Sequence, residues 1–164
     1  MSALDMIISP LNDLLKFMSD HYVITLIGLA WLVKSYGAWR GREAMAKASI
    51  GSKVKNIQSE ADWATKVSDA GDKLVVVDFF ATWCGPCVRA APVFATLSQE
   101  MDENKVEFWK VDVDQLSSIS KKQAISCMPT FKFYRAGKGN LTLLETVQGW
   151  NESKVRALVK EHAT

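Results

Sequence analysis

Apolar residues follow two different patterns, which divide the chain near residues 50–52 into an N-terminal part, 1–50, and a second part, about 53–164. In the N-terminal part, leucine and methionine recur at helical spacing between residues 11 and 18, directly after Ser9 and Pro10. Serine is a common N-cap residue and proline is common at the first helical position. The pattern therefore predicts a short amphipathic helix that begins at Pro10.

A longer apolar run follows, in which residues 22–33 contain no charged side chain. As a helix these twelve residues would be about 18 Å long, which is too short for a bilayer core. Extending the helix to Trp39 gives about 27 Å, encloses only Lys34, and leaves aromatic residues at both ends. We expect a membrane helix over about 21–39, with docking of this helix on a partner protein as the alternative.

The basic residues are concentrated next to this run. The formal net charge is only +2, yet residues 34–55 hold six basic side chains and one acidic one. A nucleic-acid-binding protein would more often spread such charge over a folded face, so the pattern indicates a membrane surface and no nucleic acid. Residues 1–20 hold three aspartates and no arginine, unlike a cleaved signal peptide or a mitochondrial presequence. The positive-inside rule then places the second part in the cytosol or the mitochondrial matrix.

The second part alternates strand-like and helix-like segments. Its hydrophobic content and its three cysteines are typical of a folded globular domain and exclude a disulfide-stapled mini-protein. The expected elements are a helix over 59–68 with its cap at Ser59, a strand over 74–80, a helix from 86 to about 101 that is kinked at Pro92, and a strand over 106–113. A helix over 115–124, a hairpin of 130–135 with 141–147 that turns at 137–140, and a helix over 151–162 that Asn151 caps complete the series. This order predicts an α/β fold with a central mixed sheet between helices.

Two cysteines stand at the start of the helix that is expected from residue 86 to about 101. Cys84 and Cys87 are three residues apart after the buried strand, so they lie on one face and can form a disulfide. The N–H groups of the helix N-terminus would stabilise a thiolate at Cys84, which we expect to be exposed and nucleophilic, with Cys87 more covered. A structural zinc site uses the same spacing, but it needs about four ligands and the chain offers few others. We expect no metal site, and an inert structural pair remains an alternative.

These residues resemble a known family. The segment 75–87, Val-Val-Val-Asp-Phe-Phe-Ala-Thr-Trp-Cys-Gly-Pro-Cys, is similar to the active-site segment of thioredoxins, and 125–131 is similar to their cis-proline loop. Gly149 matches the glycine before their last helix. The resemblance covers about 53–164 and does not reach residues 1–50. It implies a thioredoxin-like three-layer α/β/α fold.

The resemblance also implies roles for single residues. Cys84 and Cys87 would be the redox pair, and Asp78 would transfer protons to and from Cys87. Lys110 matches the family lysine near that aspartate. From the residues alone, burial of Asp78 in an apolar strand would raise its pKa. The simpler alternatives are that Asp78 caps a turn at a strand end and that Lys110 is a solvated lysine at a strand end.

A substrate groove is implied around the first cysteine. Pro129 matches the cis-proline, whose geometry would expose the backbone of Met128 for pairing with a substrate strand. The other expected groove residues are Trp83, Gly85, Pro86 and Gly149, although Trp83 as plain core filling is an alternative. The chain departs from the family at Phe80, at Val88 and at Cys127, an additional thiol at the groove rim that is either open to oxidation or an ordinary loop residue.

These observations predict a protein-disulfide reductase that is tethered to a membrane or a membrane assembly by residues 1–50. The Gly85-Pro86 dipeptide is the reducing type in this family. The expected partners are disulfide-containing proteins, a thioredoxin reductase or another dithiol donor, and membrane-complex subunits, and no cofactor is expected. The alternative is an accessory thioredoxin-like subunit of a membrane complex with little turnover.

Overall fold

The computed structural model describes residues 3–67, 70–137 and 140–163 and divides the chain into two units, Met1–Gly37 and Ala38–Thr164. Helix α1 (Ala3–Asp20) lies in the first unit, and helix α2 (Tyr22–Ser49) begins there and ends in the second. The division between units therefore lies earlier than the join near residues 50–52 that the sequence pattern indicates. Residues 38–49 belong with the second unit.

The start of α1 corrects one prediction. The helix begins at Ala3 and runs through Pro10, so the expected N-cap at Ser9 is wrong. The φ angle of proline is fixed in the helical range, and a helix can continue across it with the loss of one backbone donor. Helix α2 is longer than the expected segment, and it is long and apolar enough to cross a membrane.

The second unit contains a five-stranded mixed sheet, as predicted. Its strands are β1 (Val54–Asn56), β2 (Leu74–Phe80), β3 (Val106–Asp112), β4 (Thr130–Gly137) and β5 (Asn140–Gln148), in the spatial order β1-β3-β2-β4-β5. Strands β1, β3 and β2 are parallel, whereas β4 is antiparallel to β2 and β5. The sequence pattern missed β1, because a three-residue edge strand with one apolar side chain has almost no periodicity. The two central residues of the predicted turn at 137–140 lie outside the described residues.

Helices pack around this sheet close to where the sequence places them. They are α3 (Glu60–Asp62), which continues into a π-helical turn (Trp63–Val67), α4 (Gly85–Glu100), α5 (Ser117–Lys122) and α6 (Glu152–His162). Two predicted N-caps are confirmed: the Ser59 hydroxyl accepts a hydrogen bond from the Asp62 N–H at 3.1 Å, and the Asn151 side chain accepts one from Lys154 at 3.0 Å. The expected end of the first of these helices, Ser68, lies outside the described residues.

Strand β2 is buried on both faces, and this fixes the position of the segment that follows it. Leu74 and Val76 join an apolar cluster with residues of α4 and α6, whereas Val75 and Val77 join a second cluster with the π-helical turn and α5. Successive strand residues point to opposite faces, so the alternation fills both layers of the core. The loop 81–84 therefore leaves the centre of a rigid sheet.

Candidate active site

The two cysteines lie at the N-terminus of α4, as the sequence predicts. Cys84 is the N-cap residue and Cys87 lies in the first turn, with Cα atoms 5.3 Å apart and a disulfide between them. The backbone N–H of Cys87 donates a hydrogen bond to the Cys84 sulfur at 3.3 Å. When the disulfide is reduced, this N–H and the positive end of the helix dipole favour a thiolate at Cys84.

Cys84 is more buried than expected. Its residue is 6% exposed and Cys87 is fully buried, so the prediction of an exposed first cysteine is wrong. Both residues belong to a small apolar cluster with Met45, Ala81 and Ala91. The pattern at the helix start contains no information on the distant residues 38–49, of which Met45 packs into this cluster.

Asp78 is a buried carboxyl group in the middle of β2. The residue is 1% exposed, and neither carboxylate oxygen has a hydrogen-bond partner within the described part of the chain. Burial raises the pKa of Asp78 to about 7, and the positive charge of Lys110 opposes part of this rise. The alternative that Asp78 caps a turn is excluded, because the residue lies inside a strand.

Lys110 occupies the register position next to Asp78 on the neighbouring strand β3. It is 5% exposed, and its ammonium group lies 4.5 Å from the centre of the Phe80 ring. Burial lowers the pKa of Lys110, whereas the charges of Asp78 and Asp112 raise it. The interpretation of Lys110 as a solvated lysine at a strand end is therefore wrong.

Trp83 lies at the surface beside the cysteine pair. It is 49% exposed, which excludes the alternative of a core-filling side chain. Its indole N–H donates a hydrogen bond to the Asp114 carboxylate at 2.8 Å, and the Asp114 N–H donates one to Asp112 at 3.0 Å. Sequence reasoning missed Asp114, although two aspartates two residues apart at the end of a strand were visible as a signal.

The structure brings two of the expected loop residues together. The Met128–Pro129 peptide bond is cis, as the resemblance implies. The Gly149 N–H donates a hydrogen bond to the Pro129 carbonyl at 2.8 Å, and Gly149 has a φ of +77°, which glycine adopts without strain. Gly85 and Pro86 are exposed in the first turn of α4.

Cys127 is a free and exposed thiol. Its sulfur lies 3.8 Å from the Thr130 hydroxyl, which donates a hydrogen bond to the Cys127 carbonyl at 2.8 Å. Within the residues that the structure describes, no group of three or more histidine, cysteine, aspartate or glutamate side chains is placed to hold a metal ion.

Comparisons with known proteins agree with this geometry. The family model Thioredoxin matches residues 53–161. The chain is 44% identical to the thioredoxin of Geodia cydonium over 109 residues, which are 66% of this chain and 98% of the relative. It is 40% identical to the thioredoxin of Homo sapiens over 108 residues, which are 66% of this chain and 97% of the relative. The crystal structure of Malassezia sympodialis thioredoxin superposes with a TM-score of 0.60 at 41% identity, covering 69% of this chain and 93% of that one.

The buried carboxyl group predicts an unusual pH dependence of stability. The pKa of Asp78 is higher in the folded state, about 7, than its ordinary value of 3.8, so the folded protein binds this proton more tightly than the unfolded chain. The contribution of Asp78 to the unfolding free energy therefore falls as the pH rises from about 4 to 7. The variant Asp78→Asn should gain stability relative to the parent over this range, by up to about 4 kcal/mol at pH 8.

Denaturant unfolding at a series of pH values measures this difference. The variant Asp72→Asn, which changes an exposed aspartate, is the matched control and should follow the parent at every pH. A constant difference between parent and Asp78→Asn from pH 4 to pH 8 would contradict the prediction.

Proposed function

Since the chain belongs to the thioredoxin family, it is a protein-disulfide reductase of the thioredoxin type, and we propose that Cys84 and Cys87 carry its reaction with Asp78 as the proton-transfer group. The main support is the position of Cys84 at the α4 N-terminus, where the Cys87 N–H points at its sulfur. The third cysteine of the chain, Cys127, is distant in sequence from this pair and has no second cysteine beside it in the sequence.

The first step is attack by the Cys84 thiolate on a target disulfide. A bond forms between the Cys84 sulfur and one target sulfur, the target disulfide breaks, and the second target sulfur leaves as a thiolate that takes a proton from water. The helix N-terminus assists this step because it lowers the free energy of the attacking thiolate.

The second step needs a base for Cys87. The Cys87 thiol gives its proton to the Asp78 carboxylate, and the new thiolate attacks the Cys84 sulfur of the mixed disulfide. The Cys84–Cys87 disulfide forms, the bond between Cys84 and the first target sulfur breaks, and this first target sulfur leaves as a thiolate that takes the proton back from Asp78. Two electrons have then passed from the cysteine pair to the target. A base with a pKa of about 7 suits this role, because both of its protonation states are populated at neutral pH.

The target binds in the groove beside Cys84. The residues that we expect to line this groove are Trp83, Gly85, Pro86, Met128, Pro129 and Gly149. Met128 packs against the apolar cluster of the two cysteines, and Lys110 lies next to Asp78 in the sheet register. The half-exposed Trp83 ring, held by Asp114, offers an apolar contact of fixed orientation. The pair is recharged by a thioredoxin reductase or another dithiol donor, and no bound cofactor takes part in the steps above.

Two cysteine variants test this mechanism. Cys84→Ser should abolish reduction of a disulfide-bonded test protein, with a loss of more than about 1,000-fold in rate, because serine is a far weaker nucleophile at neutral pH. Cys87→Ser should instead accumulate a mixed disulfide, since the resolving thiol is absent. Peptide mass spectrometry should place the trapped target on Cys84, not on Cys127. Reduction that continues unchanged in Cys84→Ser would contradict the mechanism, whereas a parent chain that reduces no disulfide would favour the accessory-subunit alternative.

We further propose that residues 1–50 tether the enzyme to a membrane, with the thioredoxin domain, 53–164, facing the cytosol or the mitochondrial matrix. The large apolar side chains of α2 between Tyr22 and Trp39 each expose at least half of their surface. A patch of this size is costly in water, and lipid would cover it. The basic residues of 34–55 favour the same membrane orientation.

Binding to protein-free vesicles tests the tether. The purified full chain should insert into vesicles and resist alkaline extraction, whereas the double variant Leu29→Arg/Leu32→Arg should remain in the supernatant. Each arginine near the middle of a membrane helix costs about 2.5–3.5 kcal/mol. The control Ile50→Arg places the same charge at an exposed site outside the expected span and should bind like the parent. A parent chain that does not bind lipid would contradict the tether and favour docking on partner subunits.

A further inference from the structure

The last turns of α2 pack against the flank of the redox site. We call residues 38–49 the helix end; they belong to the same unit as the thioredoxin domain. Within the helix end, Met45 is only 5% exposed, and it belongs to the apolar cluster that holds Cys84 and Cys87. Ala48 packs against this cluster from the same helix end. A methionine side chain fills irregular apolar gaps well, which suits this position between the helix and the cysteine pair.

A glycine makes this close approach feasible. Gly41 is buried, and a Cβ atom at this position would collide with the backbone carbonyl of Thr82, two residues before Cys84. A side chain here would therefore push the helix end off the loop that carries the redox pair. The other glycines of the same helix, Gly28 and Gly37, have no atom within 4 Å of such a Cβ. Only Gly41 is thus required by packing.

The helix end also forms one wall of a cavity that contains Lys110. The cavity has a volume of about 480 Å³. Arg42, Met45 and Ser49 line it from the helix end, and Phe80 and Lys110 line it from the sheet. Because Lys110 adjoins Asp78 in the sheet register, this cavity and its helix wall lie on the Lys110 side of the buried carboxyl group.

The compared relatives have no room for such an element in their chains. The family model matches residues 53–161 of this chain. The alignments with the Geodia cydonium and Homo sapiens thioredoxins span 109 and 108 residues, which are already 98% and 97% of the length of those relatives. The helix end is therefore an addition of this chain to a domain that is otherwise complete in those relatives.

We propose that Met45 is a positioning residue for the disulfide reaction. Gly41 allows the helix end to lie against the loop of the redox pair, and Met45 then holds the helix end over the Lys110 side of the site and keeps water from Asp78. This proposal rests on the proposed function, in which Asp78 exchanges a proton with Cys87. Met45 touches no reacting atom in this scheme and acts through the surroundings of Asp78 and Lys110.

The direction of the effect follows from the groups around Asp78. Lys110 on β3 is the charge that acts on Asp78, and Asp112 on the same strand acts on Lys110. Arg42 and Lys110 line the same cavity, whereas β4 presents Phe131 at the register position opposite Asp78. If the helix end leaves, water reaches Asp78, and a better hydrated carboxylate has a lower pKa. Movement of Lys110 away from Asp78 would act the other way, but burial is the larger cause of the raised pKa, so the net change is downward.

Gly41→Ala is the variant that tests this proposal. Alanine favours the helix itself by about 1 kcal/mol, so the substitution removes the seating contact without weakening the helix. Gly37→Ala is the matched control, because it makes the same chemical change in the same helix with no atom nearby. Met45→Ala is a second variant that keeps Gly41 and removes the side chain packed on the cysteine cluster.

Two measurements on the full-length oxidised chain in detergent need no enzymatic activity. The first is the rate of trypsin cleavage after Arg42 and Lys47, which should rise at least about fivefold in Gly41→Ala because the unseated helix end opens more often. The second is the carboxyl NMR titration of Asp78, whose midpoint should fall by at least about half a pH unit in Gly41→Ala and in Met45→Ala. Gly37→Ala should match the parent in both.

A third measurement links the helix end to the reaction. The pH dependence of disulfide reduction should shift to lower pH in Gly41→Ala, and this shift should vanish in the Asp78→Asn background. Any one of three results would overturn the proposal. The first is an unchanged cleavage rate in Gly41→Ala, and the second is an Asp78 midpoint within about 0.2 pH units of the parent in both variants, which is about the precision of such a titration. The third is a shift in the pH dependence of reduction that persists in the Asp78→Asn background. A parent chain that reduces no disulfide, while its Asp78 midpoint still responds to Gly41→Ala, would instead contradict the proposed function alone.

Discussion

The carboxyl group of Asp78 is buried in the central strand without a hydrogen-bond partner, and the rest of the site is arranged around this constraint. An unpaired carboxylate inside a protein is costly, so the group holds its proton up to about neutral pH. The apolar clusters on both faces of β2 provide the stability that tolerates it. In the proposed mechanism this carboxyl group accepts the proton of Cys87 and later returns it.

The two cysteines meet different electrostatic conditions a few residues further along the chain. Cys84 benefits from the α4 N-terminus and the N–H of Cys87, which favour its thiolate. Cys87 is fully buried, and burial in apolar surroundings favours its neutral thiol. In the proposed mechanism the helix therefore prepares the nucleophile Cys84, whereas the resolving cysteine, Cys87, depends on a base. This division of roles links the buried aspartate and the helix start in that mechanism.

The sequence predicted the parts of the fold that depend on local patterns. The continuous apolar run of β2, the caps at Ser59 and Asn151, and the cysteine pair at a helix start each leave a signal within a few residues. The cis bond before Pro129 was predicted only through the family resemblance, because nothing in the local sequence requires it.

Contacts between distant segments could not be predicted in the same way. Cys84 shares an apolar cluster with Met45, 39 residues earlier, and the Trp83 indole donates a hydrogen bond to Asp114, 31 residues later. Helix α1 continues through Pro10 although proline provides no backbone N–H donor. The rule that proline marks the start of a helix does not include this case. In each case the missing information is which surfaces meet, and periodicity along one segment does not contain it.

The reduction potential of the Cys84–Cys87 couple in the full-length chain tests the central claim most directly. Equilibration with dithiothreitol or glutathione, followed by quantification of the free thiols, gives this value. A donor of electrons to protein disulfides should have a potential near about −270 mV, because its disulfide must be more stable than those of its targets. A potential near about −120 mV would contradict the account, since the chain would then oxidise its partners.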